Sequence, residues 1–352
     1  MTTTAFTTAS AKFTASPLTT LPILDISLLN GTAAEAEQFR ENLRRVTHEV
    51  GFFYLVGHGI SDEVIANMMD LSRAFFALPE NEKLAIENTL SPHFRGYTRM
   101  GGELTLGQTD WREQIDIGAE RPPVDSAVQS DDYWVLQGPN LWPENLPALE
   151  QASIAWLDQL QGISRILLAQ WAQSLGAPST TFDNAYNGLS SPHLKIVRYP
   201  GTSGETTKQG VGAHKDLGVL TLLYVEDGKG GLQVEYEGEW IDAPPVPGAF
   251  VVNIGEMLEV ATNGYLKATS HRVISPAEGE DRISLPFFYG PRLDAQIDLI
   301  DIAPEFMAAS RGVTQDPGNI MHSLFGQNWL KSRVRAHPNV VDAHHPHLRR
   351  SA

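Results

Sequence analysis

The segment at residues 211–227 reads VGAHKDLGVLTLLYVED and carries a histidine and an aspartate two positions apart, His214 and Asp216. Its β-branched and aromatic residues predict a β-strand. Because side chains two positions apart lie on the same face of a strand, an imidazole and a carboxylate can converge there on one metal ion. The same pattern is also typical of a buried histidine hydrogen-bonded to an aspartate, so a metal site needs a further ligand.

The preferred third ligand is His271, which lies 55 residues after Asp216 in the strand-like segment SHRVISP. His193, near the start of another strand, is the main rival, and His58 is expected to pack against the fold. Two histidines and one carboxylate on one face of an ion form the facial triad that suits Fe(II) and leaves its other positions open. We therefore interpret His214, Asp216 and His271 as a catalytic metal site.

The composition restricts the class of protein. Of the 352 residues, 42% are hydrophobic and 19% are charged, as expected for a globular protein with a large core. The net charge of −16 argues against nucleic acid or an anionic membrane surface as a partner and leaves small molecules. The absence of cysteine excludes disulfides, thiolate nucleophiles and iron–sulfur clusters, so any metal must bind His, Asp or Glu.

The N-terminal 20 residues are a low-complexity segment of mainly Thr, Ala and Ser. They lack the apolar stretch of a secretory signal, and no apolar run in the chain approaches the roughly 20 residues that span a bilayer. We therefore expect a disordered tail at 1–20 and a cytoplasmic protein.

Hydrophobic periodicity predicts helices before strands. The first half contains short strands at 21–29 and 51–60, and helices at 32–50, 62–76 and 149–175. The segment 90–148 has no long periodic element and is expected to be a long binding or lid loop.

The second half is a series of short strands separated by Gly, Pro and Asn-Gly turns, which is typical of a jelly roll. The predicted fold class is mainly β with flanking helices, as one domain at 21–337. In this domain an N-terminal helical α/β region at 21–190 packs against a jelly-roll core at 191–290, and a C-terminal helical region follows at 291–337. A polar tail at 338–352 is expected after the domain.

A second constellation follows the metal ligands. Arg282 lies eleven residues after His271, with Ser284 two residues later on the same strand face. A guanidinium and a hydroxyl together suit a carboxylate, and Tyr199 can offer its hydroxyl to the same anion. The alternatives are a structural salt bridge for the arginine and a core position for the tyrosine.

These motifs resemble the isopenicillin N synthase-like family of Fe(II)- and 2-oxoglutarate-dependent oxygenases. The match extends from Leu21 to His337 and includes GFFYLVGHGI at 51–60 and GGLQV at 230–234. The resemblance implies a double-stranded β-helix in which the triad holds Fe(II) and Arg282 and Ser284 bind 2-oxoglutarate. It further implies a dioxygenase that oxidises, commonly by hydroxylation, a small organic substrate with O2 and releases succinate and CO2.

Other functions stay open at this point. The segment Val197-Arg198-Tyr199-Pro200 is closer to isopenicillin N synthase itself, which uses no 2-oxoglutarate and turns its Arg and Ser toward its substrate. A 2-oxoglutarate-independent oxidase of that type or of the aminocyclopropane-carboxylate oxidase type, and an ethylene-forming relative, share these motifs. A binding barrel without catalysis and a zinc hydrolase are the remaining alternatives.

Substrate contacts are expected from loops at the mouth of the barrel, at 94–103 and 110–113. The side chains best able to stack or pair there are those of Arg95, Tyr97, Trp111 and Arg112. Each of them could equally brace the long loop. The sequence predicts neither the substrate nor the oligomeric state.

Overall fold

A computed structural model of the protein describes residues 18–125, 127, 129–202, 209–313 and 320–350. The strands are β1 Ile23–Asp25, β2 Phe52–Val56, β3 Gly96–Thr98, β4 Leu104–Thr105, β5 Gln108–Thr109, β6 Glu113–Gly118, β7 Ser191–Pro200, β8 Gln209–His214, β9 Leu220–Val225, β10 Leu232–Tyr236, β11 Glu239–Asp242, β12 Phe250–Ile254, β13 His271–Ile274 and β14 Asp281–Gly290. The helices are α1 Ala33–Glu49, α2 Asp62–Phe76, α3 Glu80–Leu84, α4 Ala148–Ser174, α5 Asp183–Tyr186, α6 Glu256–Ala261, α7 Pro304–Ala308, α8 Phe325–Ala336 and α9 Pro338–His344.

The strands form a major and a minor sheet. The major sheet has the order β1-β2-β12-β9-β14-β7-β6-β3, the minor sheet has the order β11-β10-β13-β8, and β4 and β5 form a separate hairpin. Apolar side chains from both sheets pack into one cluster, which includes Val197, Val211, Val234, Val251 and Val273. The predicted fold class, a jelly-roll core with flanking helices, is confirmed.

Helices α1, α2 and α4 form a layer on the other face of the major sheet. Helix α4 packs against α1, α2 and strands β7, β9 and β14. Its apolar residues recur at helical spacing, and Leu160, Leu167 and Trp171 are fully buried. The helical layer therefore fixes the sheet whose inner face carries part of the site.

Leu167→Ala is expected to lower the free energy of unfolding by about 2–5 kcal/mol, because it leaves a cavity in a closely packed layer. Leu167 has no exposed surface, whereas its neighbour Ile166 is 46% exposed. Ile166→Ala is the control and should cost less than about 1 kcal/mol. Urea unfolding with an unchanged m-value measures both, and equal losses would contradict this packing.

Strand β6 lies within the segment 90–148, where the sequence predicted no long element. Its sequence EQIDIG combines two charged residues and a glutamine with apolar residues, yet all six residues are buried. Glu113 is buried because Lys83 Nζ and Arg198 Nη1 pair with its two oxygens at 3.0 and 2.8 Å. Burial of a charged strand depends on cations from distant segments, which periodicity does not reveal.

The expected polar tail at 338–352 instead begins with a folded segment. Helix α9 buries Val340 and Val341, and the imidazole of His345 lies 2.7 Å from the carbonyl oxygen of Pro92. The two valines supply the apolar contact that a polar tail would lack. The expected disorder at 1–20 falls outside the described residues except for 18–20, and the single domain at 21–337 stays a prediction.

Among the described residues, no helix is both long enough and apolar enough to cross a membrane.

Candidate metal centre and cosubstrate pocket

The two histidines of the predicted triad face each other across the minor sheet. His214 ends β8 and is paired in register with His271, the first residue of β13, and their ring centroids are 4.3 Å apart. Asp216 lies two residues beyond the end of β8, so the expectation that it shares a strand with His214 is wrong. Its position is set by hydrogen bonds and not by strand alternation.

The ligand atoms of the three side chains lie within 4.8 Å of one another. Nε2 of His214 and Nε2 of His271 each lie 3.7 Å from Oδ1 of Asp216. This separation is less than twice a metal–ligand bond of about 2.1 Å, so one ion can contact both nitrogens and the oxygen. Among the described residues, these three form the one group of His, Asp and Glu side chains with metal-binding geometry.

The Nδ1 atoms of the two histidines contact the backbone, which leaves their Nε2 atoms for a metal. Nδ1 of His214 lies 2.7 Å from the carbonyl oxygen of Gly212, and Nδ1 of His271 lies 3.2 Å from that of Thr269. Each Nδ1–H therefore donates to the backbone, and the lone pair of Nε2 points to the centre. These contacts select the tautomer that a metal requires.

The carboxylate of Asp216 is held in a similar way. Its Oδ2 accepts hydrogen bonds from Thr221 Oγ1 at 2.6 Å and from Asn253 Nδ2 at 2.8 Å, which leaves Oδ1 for an ion. Burial lowers the pKa of His214 to about 4. Burial raises the pKa of Asp216, but the imidazoles of His271 and His214 and the two hydrogen bonds lower it below its usual value. The site thus offers the neutral imidazole of His214 and the carboxylate of Asp216 at neutral pH, the forms that bind a cation.

Thr221→Val is expected to weaken Fe(II) binding about 10- to 100-fold, because it removes a hydrogen bond to the ligand carboxylate with almost no change in volume. Thr98→Val is the matched control, since Thr98 is also buried and accepts a hydrogen bond from Asn88 elsewhere in the chain. Metal titration followed by absorbance measures both affinities. An unchanged affinity in Thr221→Val would show that the hydroxyl does not orient Asp216.

The predicted anion site lies in the same cavity as the triad. Arg282, Ser284 and Tyr199 line this cavity, which has a volume of about 270 Å³, and all three are buried. Arg282 of β14 is paired in register with Tyr199 of β7, and its guanidinium lies 5.0 Å from the centre of the tyrosine ring. The architecture therefore brings the two predicted constellations together.

The guanidinium of Arg282 has no ion-pair partner among the described residues. Its Nε and Nη1 atoms lack hydrogen-bond partners, although the side chain is 1% exposed. The oxygens of Glu226, an acidic residue near it, accept from Arg73 and from the backbone amide of Ile283. The alternative of a structural salt bridge therefore has no support, and a buried cation in this state calls for a bound anion.

The rival histidines lie elsewhere. His193 is buried and its Nε2 lies 2.8 Å from Asp116, and burial lowers its pKa to about 3. Nε2 of His58 lies 2.7 Å from the carbonyl oxygen of Gly248. Both histidines have structural partners, as expected for His58.

Of the four predicted substrate contacts, Arg112 alone lines the cavity, within the described residues. Arg95 donates to the carbonyl oxygen of Leu136, and the hydroxyl of Tyr97 donates to Glu113. Trp111 is not among the cavity residues, and its backbone amide donates to Gln209. Arg95 and Tyr97 thus pair with other residues of the segment 90–148, because buried polar groups need hydrogen-bond partners.

Three buried charged residues of the cavity were not predicted from the sequence, namely Glu103, Lys195 and Arg333. Glu103 ends one of the predicted loop segments, but no pattern distinguished it from its neighbours. Lys195 interrupts the apolar strand SPHLKIVRYP, and Arg333 follows Trp329 by one helical turn on the buried face of α8. A charged residue at a buried position of a strand or helix was the available signal.

Known proteins share this architecture and sequence. A family model described as non-haem dioxygenase in morphine synthesis N-terminal matches residues 21–145, and the 2OG-Fe(II) oxygenase superfamily model matches residues 190–291. The chain is 36% identical over 342 residues to the 2-oxoglutarate-dependent dioxygenase frbJ of Dothideomycetidae sp.. The aligned region covers 91% of this chain and 90% of that protein.

A homoarginine-6-hydroxylase of Arabidopsis thaliana is 35% identical over 308 residues, or 84% of this chain and 92% of the relative. The crystal structure of JOX2 in complex with 2OG, Fe and JA superimposes with a TM-score of 0.68 at 26% identity, over 90% of this chain and 85% of JOX2. These names favour 2-oxoglutarate-dependent oxidation over the oxidases that do not use this cosubstrate. The chain therefore belongs to the 2OG-Fe(II) oxygenase superfamily, as its resemblance to the isopenicillin N synthase-like members predicts, and is a dioxygenase that uses Fe(II), 2-oxoglutarate and O2.

Proposed function

We propose that the chain hydroxylates a small organic molecule, with His214, Asp216 and His271 as the iron ligands and with Arg282, Ser284 and Tyr199 as the contacts of 2-oxoglutarate. The observation that carries this assignment is the buried guanidinium of Arg282, which lacks a carboxylate partner and lines the same cavity as the triad. A dicarboxylic acid can place one acid group on the metal and the other on the guanidinium.

The residues of the chain bind, orient and shield the reactants. Iron and 2-oxoglutarate supply the oxidising chemistry, in which oxidative decarboxylation to succinate and CO2 is coupled to oxidation of a C–H bond. The triad would hold the ion through one oxygen and two nitrogens, and the same three residues line the cavity in which a substrate would bind. Part of the cavity lining is apolar and consists of Phe52, Leu223 and Leu232. These side chains limit the access of water to the reacting carbon.

The family acts on small-molecule substrates. Hydroxylation is our proposed outcome because the relatives include a protein named for that reaction on homoarginine. We propose in addition that nucleic acid and membrane surfaces are not partners, on the basis of the net charge of −16. We also propose a cytoplasmic location.

The test is a coupled assay of the Fe(II)-loaded protein with 2-oxoglutarate. We expect succinate to form in proportion to O2 consumed, and mass spectrometry to show a gain of one oxygen atom in an accepted substrate. L-homoarginine is a first compound to try because of the relatives' names. Substrate-dependent O2 uptake with no requirement for 2-oxoglutarate would instead indicate an oxidase that does not use this cosubstrate.

A further inference from the structure

The cavity is cationic although the protein is strongly acidic. The chain contains 26 Lys and Arg against 42 Asp and Glu residues. Apart from Arg282 and Asp216, the described charged residues of the cavity are two carboxylates, Glu103 and Glu256, and six cations, Arg112, Lys195, Lys215, Lys331, Arg333 and Arg335. The local charge thus has the opposite sign to that of the whole molecule, which favours an anionic ligand.

Three of these cations are buried, which is costly without a functional reason. Arg112, Lys195 and Arg333 are each less than 9% exposed. Lys195 Nζ lies 2.6 Å from Glu103, and Arg333 Nη1 lies 2.8 Å from Asp116. Arg112 Nη2 lies 3.0 Å from Glu103 and 3.1 Å from the buried Asp110. The three form one buried ion-pair network, which we call the cationic wall.

The cationic wall contains hydrogen-bond donors that have no acceptor among the described residues. The Nε atoms of Arg112 and Arg333 are buried and have no hydrogen-bond partner among the described residues. Glu103, by contrast, accepts from Lys195 at both oxygens and also pairs with Arg112. Two buried guanidinium donors of the wall therefore lack an acceptor in the part of the chain that the structure describes, and a carboxylate is the acceptor that pairs most strongly with a guanidinium.

The neighbouring histidines do not alter this balance. Burial lowers the pKa of His337 to about 4 and that of His193 to about 3, so both imidazoles are neutral at pH 7. Their Nε2 atoms contact Arg333 and Asp116 respectively. The cations of the wall are therefore its lysine and two arginines, which pair with Glu103, Asp110 and Asp116.

On the basis of the proposed function, we propose that the substrate is a small carboxylic acid whose carboxylate binds the cationic wall formed by Arg112, Lys195 and Arg333. The carboxylate of 2-oxoglutarate has its own receptor in Arg282, so the wall provides a second anion site in the same cavity. A simple acid and an α-amino acid share this carboxylate, so both classes of compound are tested.

The experiment compares acids with their primary amides. The protein is loaded with Zn(II) in place of iron, so that no turnover occurs, and saturated with 2-oxoglutarate. Ligand-observed NMR then measures the affinities of L-homoarginine, hexanoate and 3-phenylpropanoate and of the three corresponding amides. We expect at least one acid to bind about tenfold or more tightly than its amide, because a charge-assisted pair is lost in the amide.

The matched pairs also identify the source of the carboxylate. If only L-homoarginine binds more tightly than its amide, the substrate is an amino acid. If hexanoate and 3-phenylpropanoate also bind more tightly than their amides, it is a simple acid. Either result supports the proposal. If no acid binds more tightly than its amide, the proposal is overturned. The NMR signals of 2-oxoglutarate in the same samples report the cosubstrate site separately, so a failure of the proposed function is recognised by loss of its binding.

Variants test which residues hold the acid. Arg112→Gln and Arg333→Gln are expected to weaken acid binding about tenfold or more, whereas Arg99→Gln, a change at an exposed arginine outside the cavity, should not. Circular dichroism establishes that each variant is folded, and the comparison of acids with amides in the unmodified protein does not depend on them. If Arg112→Gln weakens binding of 2-oxoglutarate but not of the acid, Arg112 belongs to the cosubstrate site and the proposal is overturned.

Discussion

His271→Ala is expected to abolish iron binding at micromolar metal and to reduce succinate formation to background. The substitution removes one of two nitrogens that lie 3.7 Å from the Asp216 oxygen, and two ligands remain. Loss of an outer hydrogen-bond partner typically weakens metal binding about 10- to 100-fold, so loss of a direct ligand should exceed that range. Metal analysis after gel filtration and a succinate assay measure the two effects.

The control for this substitution is His58→Gln. His58 contacts the carbonyl oxygen of Gly248 and is not part of the metal-binding group, so its replacement should leave the iron content unchanged. The His271 variant should stay folded, because an alanine at the start of β13 keeps the backbone pairing with β8. A His271→Ala protein that retains one iron per chain and full turnover would refute the ligand assignment.

The strands of the jelly roll could be predicted where apolar patterning dominates. The segments AFVVNIG and RISLPFFY correspond to β12 and β14, and the helical pattern at 149–175 corresponds to α4. Strand β6 could not be predicted, because its Glu113 and Asp116 are buried only through cations contributed by distant segments. Local periodicity carries no information about such long-range ion pairs.

The site, like the fold, could be predicted only in part from the sequence. The chemistry of His214, Asp216 and His271 could be predicted from residue types, but the stated reason for the position of Asp216 was wrong, since Thr221 and Asn253 hold it outside the strand. The cationic wall was missed apart from Arg112. Its members come from β7, α8 and loop residues and meet only in the folded chain, so no spacing in the sequence connects them.

Arg282→Met is expected to raise the KM for 2-oxoglutarate about 100-fold or more and to increase the stability of the protein without ligands. Charge-assisted hydrogen bonds contribute about 1.5–3 kcal/mol each, and a guanidinium can make two to one carboxylate. The same guanidinium is buried without a carboxylate partner among the described residues, so methionine removes an uncompensated charge. Steady-state kinetics and thermal unfolding test the two parts.

The sign of the stability change separates an anion receptor from a structural arginine. Arg198, on the neighbouring strand β7, pairs with Glu113 at 2.8 Å and with Asp281 at 3.0 Å. Arg198→Met should therefore lower the melting temperature, because it leaves the buried Glu113 with fewer partners, and should leave the KM for 2-oxoglutarate unchanged. Saturating 2-oxoglutarate should raise the melting temperature of the unmodified and Arg198→Met proteins but not that of Arg282→Met, since a ligand stabilises only the form that binds it. A loss of stability in Arg282→Met with an unchanged KM would mean that Arg282 is structural and that 2-oxoglutarate binds elsewhere.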